Sequence, residues 1–417
     1  IEMAISESAL DSGESVGTLD LLPLMSDAAL IFGFGGCSDA MRKGVMNPEI
    51  LVEPTGDILI DVEFRKDIEE QLGRTYESSH LDNAAAKYDD YFKPRELSQD
   101  IEGLFPTEFW QAFADEFGMT VDEFRSIRDA FGDLALESRK LTLVLTEREI
   151  LDYCEGAEDC SARVAALMLE KSSLWPRKAW DTTPAGFRGT DWYPWRFGRR
   201  LSLLSRPLVR LEDCNNPRYL ISPGLLGDSF TYILRRYFEA EVQPVDCFSH
   251  AMRHWTEGEI KRRSHEFVVN VQAALASGGF STKCEESLDM ILGEHFQKNY
   301  GDVDVLAWNG AEILAVECKN LRLARTPNDM AEQLNRFSGQ PLATGSKRDE
   351  LRKHIDRCRI LNEKSAALSK RLDLQTEIRV KTVVCFSCPV PMHYVASQHP
   401  EVIFTTLDDL TAQYGSQ

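Results

Sequence analysis

Between Gly301 and Asn320 the chain carries three carboxylates and a lysine, Asp302, Asp304, Glu317 and Lys319, on two apolar runs that flank Asn309-Gly310. An Asn-Gly pair between β-like runs is the strongest short-range hairpin signal. With those two residues as the turn, Trp308 faces Ala311, Leu306 faces Ile313, Asp304 faces Ala315 and Asp302 faces Glu317. Cross-strand partners share a face, so all four charged residues project to one side. Val303, Val305, Leu314, Val316 and Cys318 project to the other, where they can form a core. Carboxylates opposed in this way repel one another. A hard divalent cation removes the conflict, because Mg2+ accepts one or two carboxylates together with water and phosphate oxygens. An ammonium beside it can lower the pKa of a bound water and hold a non-bridging oxygen, the two needs of phosphodiester hydrolysis.

The elements around this hairpin must hold it in place. Upstream, His265 to Leu275 has amphipathic helical spacing and is closed by Gly278-Gly279. Phe280 to Leu292 is expected as a strand. Asn328 to Phe337 is expected as a helix with Met330, Leu334 and Phe337 on one stripe, and Arg379 to Phe386 and Val402 to Thr405 as closing strands.

This segment resembles the PD-(D/E)xK nucleases, which include many restriction enzymes, junction resolvases and RecB-type nucleases. Their pattern is an Asp near the end of one strand and Glu-x-Lys on the next. The match is Asp304 followed by Glu317-Cys318-Lys319, with Val303 where the family often has proline. The resemblance runs over residues 259–417 and implies an α/β domain with a restriction-endonuclease-like mixed sheet flanked by helices. It implies a Mg2+-dependent (or Mn2+-dependent) phosphodiesterase acting on nucleic acid, with DNA favoured over RNA. Asp304 and Glu317 are the expected metal ligands with Asp302 beside them, and Lys319 orients or activates water. Glu266 matches the auxiliary acid that the family often carries on its first helix. Gln333 matches the Gln of the RecB-type Gln-x-x-x-Tyr element, with Phe337 in place of Tyr. By association, stand-alone nucleases of this kind joined to large unfamiliar domains often serve bacterial restriction or anti-phage defence. The alternative is a nuclease-fold scaffold that holds DNA with weak or no catalysis. The intact Asp304, Glu317 and Lys319 count against it. Both Glu317 and Lys319 are expected on the polar face of a strand, so truncating either should abolish cleavage, leave no core cavity and change stability little.

Charge divides the chain. Residues 1–160 hold 36 acidic and 13 basic residues, a net of −23, whereas residues 161–417 hold 31 and 34, a net of +3. Only the back half has the electrostatics to approach phosphate, and the acidic front is a candidate partner-docking module. Three regions are expected: an acidic α+β region over 1–100, a mainly helical region over 101–258, and the nuclease-like domain over 259–417. The ten cysteines are too sparse for a disulfide framework, which favours a reducing, cytoplasmic location. No unbroken apolar run approaches a membrane span, and an oligomer is compatible with the composition. The chain opens on Ile1 rather than Met, so no leader can be judged from this end.

Other features carry less. Gly33-Phe34-Gly35-Gly36 lacks a following Gly-Lys-Ser/Thr and is expected as a strand-to-loop turn rather than a phosphate loop. Asp57 to Phe64 alternates like a half-buried strand. Trp175, Trp180, Trp192 and Trp195 interleave with Arg177, Lys178, Arg188, Arg196, Arg199 and Arg200. Such a mixture suits a single-strand groove but suits a structural loop better. Cys385-Phe386-Ser387-Cys388 is a lone pair without a second at zinc spacing. Arg348, Arg352, Lys353, Arg357, Arg359, Lys364, Lys370 and Arg371 decorate one helical stretch, expected as a solvated face or a phosphate track.

Overall fold

The computed structural model describes residues 17–46, 50–60, 65–75, 77, 105–157, 160–177, 182–310, 312–339, 349–374 and 378–415. The chain divides into two compact units, Ile1–Leu30 with Arg95–Lys261 and Ile31–Pro94 with Arg262–Gln417.

The core of the first unit rests on phenylalanines at helical spacing. Phe109 and Phe113 in the helix Thr107–Phe117, and Phe124 and Phe131 in Val121–Glu137, are all buried. Thr120 and Glu123 form a capping box, and Thr146 with Glu149 repeats the device at Glu147–Gly156. A four-stranded sheet runs in the order Leu143–Thr146, Arg218–Ile221, Leu208–Arg210, Ser173–Leu174. The Trp/Arg-rich segment is tied internally. Arg200 pairs with Asp191 at 2.6 Å and Asp246 at 3.7 Å, and Arg188 pairs with Asp246. Tyr193 stacks on Trp195 with centroids 4.9 Å apart. Arg188 and Arg200 answer buried carboxylates, which favours the structural role for this loop; Lys178 and Trp180 lie outside the described residues.

Near the front of the chain, the helix Thr18–Arg42 takes in Gly33-Phe34-Gly35-Gly36, which corrects the expected strand-to-loop turn. Gly36 packs closely against Pro327, from which a Cβ would stand 3.0 Å away. By length and composition alone this helix could cross a membrane, with a mean hydropathy of 1.4 over 18 residues. A search for unbroken apolar runs passes over it because Asp20, Pro23 and Asp27 interrupt the run. Of the expected strand Asp57 to Phe64, Ile58–Ile60 pairs with Ile50–Val52, and residues 61–64 lie outside the described residues.

The second unit carries the hairpin. Beside the pair Ile50–Val52 and Ile58–Ile60, its five-stranded sheet consists of β1 (Ser281–Ser287), β2 (Asp302–Asn309), β3 (Glu312–Lys319), β4 (Arg379–Phe386) and β5 (Val402–Thr406). Its helices are α1 (His250–Ser277, of which the part from Arg262 belongs here), α2 (Leu288–Leu292), α3 (Pro327–Arg336), α4 (Glu350–Glu363), α5 (Ser365–Arg371) and α6 (Leu407–Tyr414). The sheet order is β5-β4-β3-β2-β1. The first three strands in sequence pair antiparallel, while β3, β4 and β5 are mutually parallel. This is a mixed sheet with helices on both faces. The strand expected over Phe280 to Leu292 spans only Ser281–Ser287, because the Ser287 side chain caps α2 by accepting from the Met290 N–H.

Strand alternation sorts the core into two layers. Val305, Ala307, Leu314, Val316 and Val383 pack with Phe267, Val271 and Leu275 of α1 and Leu410 of α6. Leu306, Ile313 and Ala315 pack with Ile291 of α2, Cys358 and Leu361 of α4, and Leu368 of α5. Each fully buried aliphatic side chain contributes about 1.5–3 kcal/mol by leaving water. Asp304, Glu317 and Lys319 alternate onto the α4 side, so a helix covers the face on which they stand.

Candidate active site on the hairpin face

The hairpin forms two residues out of the expected register. Asn309 pairs with Glu312, Trp308 with Ile313, Leu306 with Ala315 and Val305 with Val316. Asn309 thus closes the ladder rather than turning it. Gly310 takes the positive φ of +59° that a tight turn needs, and Ala311 lies outside the described residues. A shift of two preserves parity, so Asp304, Glu317 and Lys319 keep the face assigned to them. The partners change: the rung after Val305–Val316 is Asp304 opposite Glu317.

That rung is open. The ladder between β2 and β3 ends at Val305–Val316, and Asp304 Oδ2 instead accepts the Cys318 N–H at 2.7 Å. On the other flank, the β1–β2 pairing skips the rung of Glu285 and Asp304, where Glu285 has φ +52°. Asp304 therefore sits in a local break of the sheet on both sides, the kind of irregularity that re-aims a side chain.

Glu317 is buried and held at both oxygens. Lys319 Nζ lies 2.8 Å from Oε1, the Arg357 guanidinium donates to Oε2, and His354 Nδ1 is 3.7 Å from Oε2. Lys319 also reaches Glu350 Oε2 at 3.2 Å, and Arg336 holds Glu350 Oε1 at 2.7 Å. Three carboxylates, Asp304, Glu317 and Glu350, are set among three cations, Lys319, Arg336 and Arg357. Burial works against the Glu317 carboxylate, but Lys319 and Arg357 hold it below the ordinary glutamate range. Asp304 is pushed up to about 6 by burial and by the charge of Glu317. Burial would lower Lys319, yet Glu317 and Glu350 raise it above the usual lysine value, so it carries its charge. Burial lowers His354 to about 4 and keeps it neutral, with Nε2 donating to the Ala315 carbonyl at 3.1 Å.

Of the residues expected from sequence, Asp304, Glu317 and Lys319 come together. Asp302 has an exposed side chain and contributes its carbonyl, which accepts from Arg357. Glu266 pairs with Arg262 one turn earlier on the exposed side of α1, while its neighbour His265 reaches Glu285 at 3.2 Å. Gln333 is buried on α3 and donates to the Arg322 carbonyl at 2.7 Å. The Cys385 and Cys388 thiols are raised by burial to about 12 and about 11, far from the thiolate that metal or redox chemistry needs.

Four site residues were missed: Arg336 from α3, and Glu350, His354 and Arg357 from α4. The basic stretch divides into α4 and α5, and Arg348 lies outside the described residues. A signal was present. Leu351, His354, Cys358 and Leu361 form a buried stripe at helical spacing, and Arg357 lies beside it rather than on a solvated face.

Among the described residues, no three His, Cys, Asp or Glu side chains form a ready-made metal cage. The donor set nevertheless fits a magnesium-type ion, which is held by one or two carboxylates and completed by water and substrate oxygens.

The chain matches the family described as anti-phage protein Upx-like over residues 1–408 and belongs to that family. Its membership identifies it as a defence-related protein. No curated protein and no solved structure matches the chain.

Proposed function

We propose that this Upx-like anti-phage protein is a Mg2+-dependent nuclease, with Mn2+ as a substitute, that hydrolyses phosphodiester bonds of DNA in the cytoplasm. One observation carries the proposal: Asp304 and Glu317 face each other at an open rung of the sheet, with Lys319 2.8 Å from Glu317. The order of helix, three antiparallel strands, helices and parallel strands around that rung supports a PD-(D/E)xK relationship.

Asp304 and Glu317 would hold the cation, which supplies a water made acidic by coordination and a Lewis-acid contact to the phosphate. Lys319, charged under the influence of Glu317 and Glu350, is a donor rather than a base. It orients the attacking water and holds a non-bridging oxygen as negative charge develops. Glu350, anchored by Arg336, keeps the lysine at the site when its bond to Glu317 is exchanged. The near-neutral residues 161–417 can approach phosphate, and the acidic residues 1–160 would serve a protein partner.

The runner-up is a DNA-holding scaffold. It draws on the same charge balance, since a Glu317 already neutralised by Arg357 and Lys319 is stable without metal. Incubation of the full chain with supercoiled, linear and single-stranded DNA and with RNA, in Mg2+, Mn2+ or EDTA, separates the two. Cleavage that needs the cation and disappears in Lys319→Met is expected; no cleavage of any substrate would leave the scaffold.

A further inference from the structure

The two oxygens of Glu317 are not equivalent, and the difference lies in what holds them. Oε1 is held by Lys319, whose side chain is 23% exposed and has a second carboxylate, Glu350, within 3.2 Å. Oε2 is held by Arg357, whose side chain is 6% exposed. The same guanidinium donates from its other terminal nitrogen to the Asp302 carbonyl. It thereby joins β2 to β3 beyond the last paired rung, where the ladder supplies no bond. A planar guanidinium can span two acceptors at a fixed angle, which an ammonium on a flexible stem cannot. Nor can Arg357 withdraw cheaply, because it would leave the buried Glu317 carboxylate and its own charge unpaired and the Asp302 carbonyl without its donor. Lys319 can move, because Glu350 receives it.

We propose that Arg357 is the positioning residue of the cation site: it fixes Oε2 of Glu317, so that the carboxylate offers only Oε1 to a divalent cation, beside Asp304. With a cation bound, Lys319 would shift from Oε1 toward Glu350, 3.2 Å away, while Arg357 would stay in place. This inference rests on the cation-dependent reading of the site and adds to it a residue outside the Asp…Glu-x-Lys pattern.

The test measures Mn2+ binding to the full chain without nucleic acid, by calorimetry or by loss of the free-ion electron-spin signal. Arg357→Met and Arg357→Ala are expected to weaken Mn2+ binding by about 10- to 100-fold, the usual loss when an outer-shell partner of a metal ligand is removed. Arg357→Lys keeps the charge and most of the volume, yet should still bind Mn2+ more weakly than wild type. Added ethylguanidinium should restore binding to Arg357→Ala, and ethylammonium should not. Melting curves run in parallel separate folding from positioning. Variants that melt early but bind Mn2+ as tightly as wild type, or more tightly, would overturn the proposal. If the Met and Ala variants do not fold, unchanged affinity in Arg357→Lys has the same force. Wild-type protein that takes up no Mn2+ would overturn the cation-dependent reading and this inference together. Normal Mn2+ uptake in the Arg357 variants, with wild-type cleavage intact, would overturn this inference alone.

Discussion

Asp304 and Glu317 stand opposite each other at the first rung where β2 and β3 stop pairing, and their carboxylates are driven in opposite directions. Glu317, met by Lys319 and Arg357, is held ionised below the ordinary range. Asp304, buried beside that charge, is raised to about 6. Paired titratable groups pushed apart by their surroundings mark functional sites more often than structural ones.

The raised Asp304 fixes a pH dependence. An aspartate that titrates near 6 when folded and near 3.8 when unfolded binds more protons in the folded state between those values. The metal-free protein should therefore lose stability through this group as pH rises from about 4 to about 6, and the loss should be complete above that window. Mn2+ affinity should rise over the same interval, with proton release below about pH 6. Denaturant melts and calorimetry across pH 4–8 check both; an affinity flat through pH 6 would remove Asp304 from the ligand set.

Asp304→Asn should raise the metal-free stability at pH 8 by up to about 3 kcal/mol, the free energy of a shift of roughly two pKa units. The amide oxygen can still accept the Cys318 N–H. The same variant should not cleave. Urea unfolding and a cleavage assay give the two readouts, and a gain in stability with activity retained would contradict the assignment.

Glu317→Ala should cost about 3–5 kcal/mol, because it strands Arg357 as a buried charge without its partner. An open polar face would predict almost no cost. Glu317→Gln, which can still accept from the guanidinium, should lie between. Unfolding curves for the two variants decide.

Lys319→Met should fold and should bind Mn2+ no more weakly than wild type, since it removes a cation that competes for Oε1. Its cleavage rate should fall by about two orders of magnitude or more, the usual cost of losing one preorganised group of about 3 kcal/mol. Supercoiled DNA with Mg2+ provides the assay, and cleavage at the wild-type rate would sink the catalytic role.

What the sequence disclosed follows from what its periodicities encode. The period of two assigned the faces of β2 and β3 and survived an error in the turn, because the error was itself two residues. β4 was legible end to end, from Arg379 to Phe386. The partners of Glu317 were not, because a helix rich in Arg and Lys looks solvated until its apolar stripe is weighed separately. Arg357 belongs to a buried ion pair formed across 40 residues of chain, and no local pattern records such a contact. Glu266 was placed in the site by analogy with a helix position; its helix turns it to solvent.

The open rung also makes the hairpin count in twos. A slip of one residue in the pairing of β2 with β3 would exchange the two faces of one strand relative to the other, setting Val305 or Val316 where a carboxylate now stands. Core and site would fail in the same step, and no compensating change elsewhere in the sheet could restore only one of them. A slip of two residues would change the cross-strand partners and leave both faces intact. The parity of the register, rather than the identity of the turn residues, is what core and site hold in common.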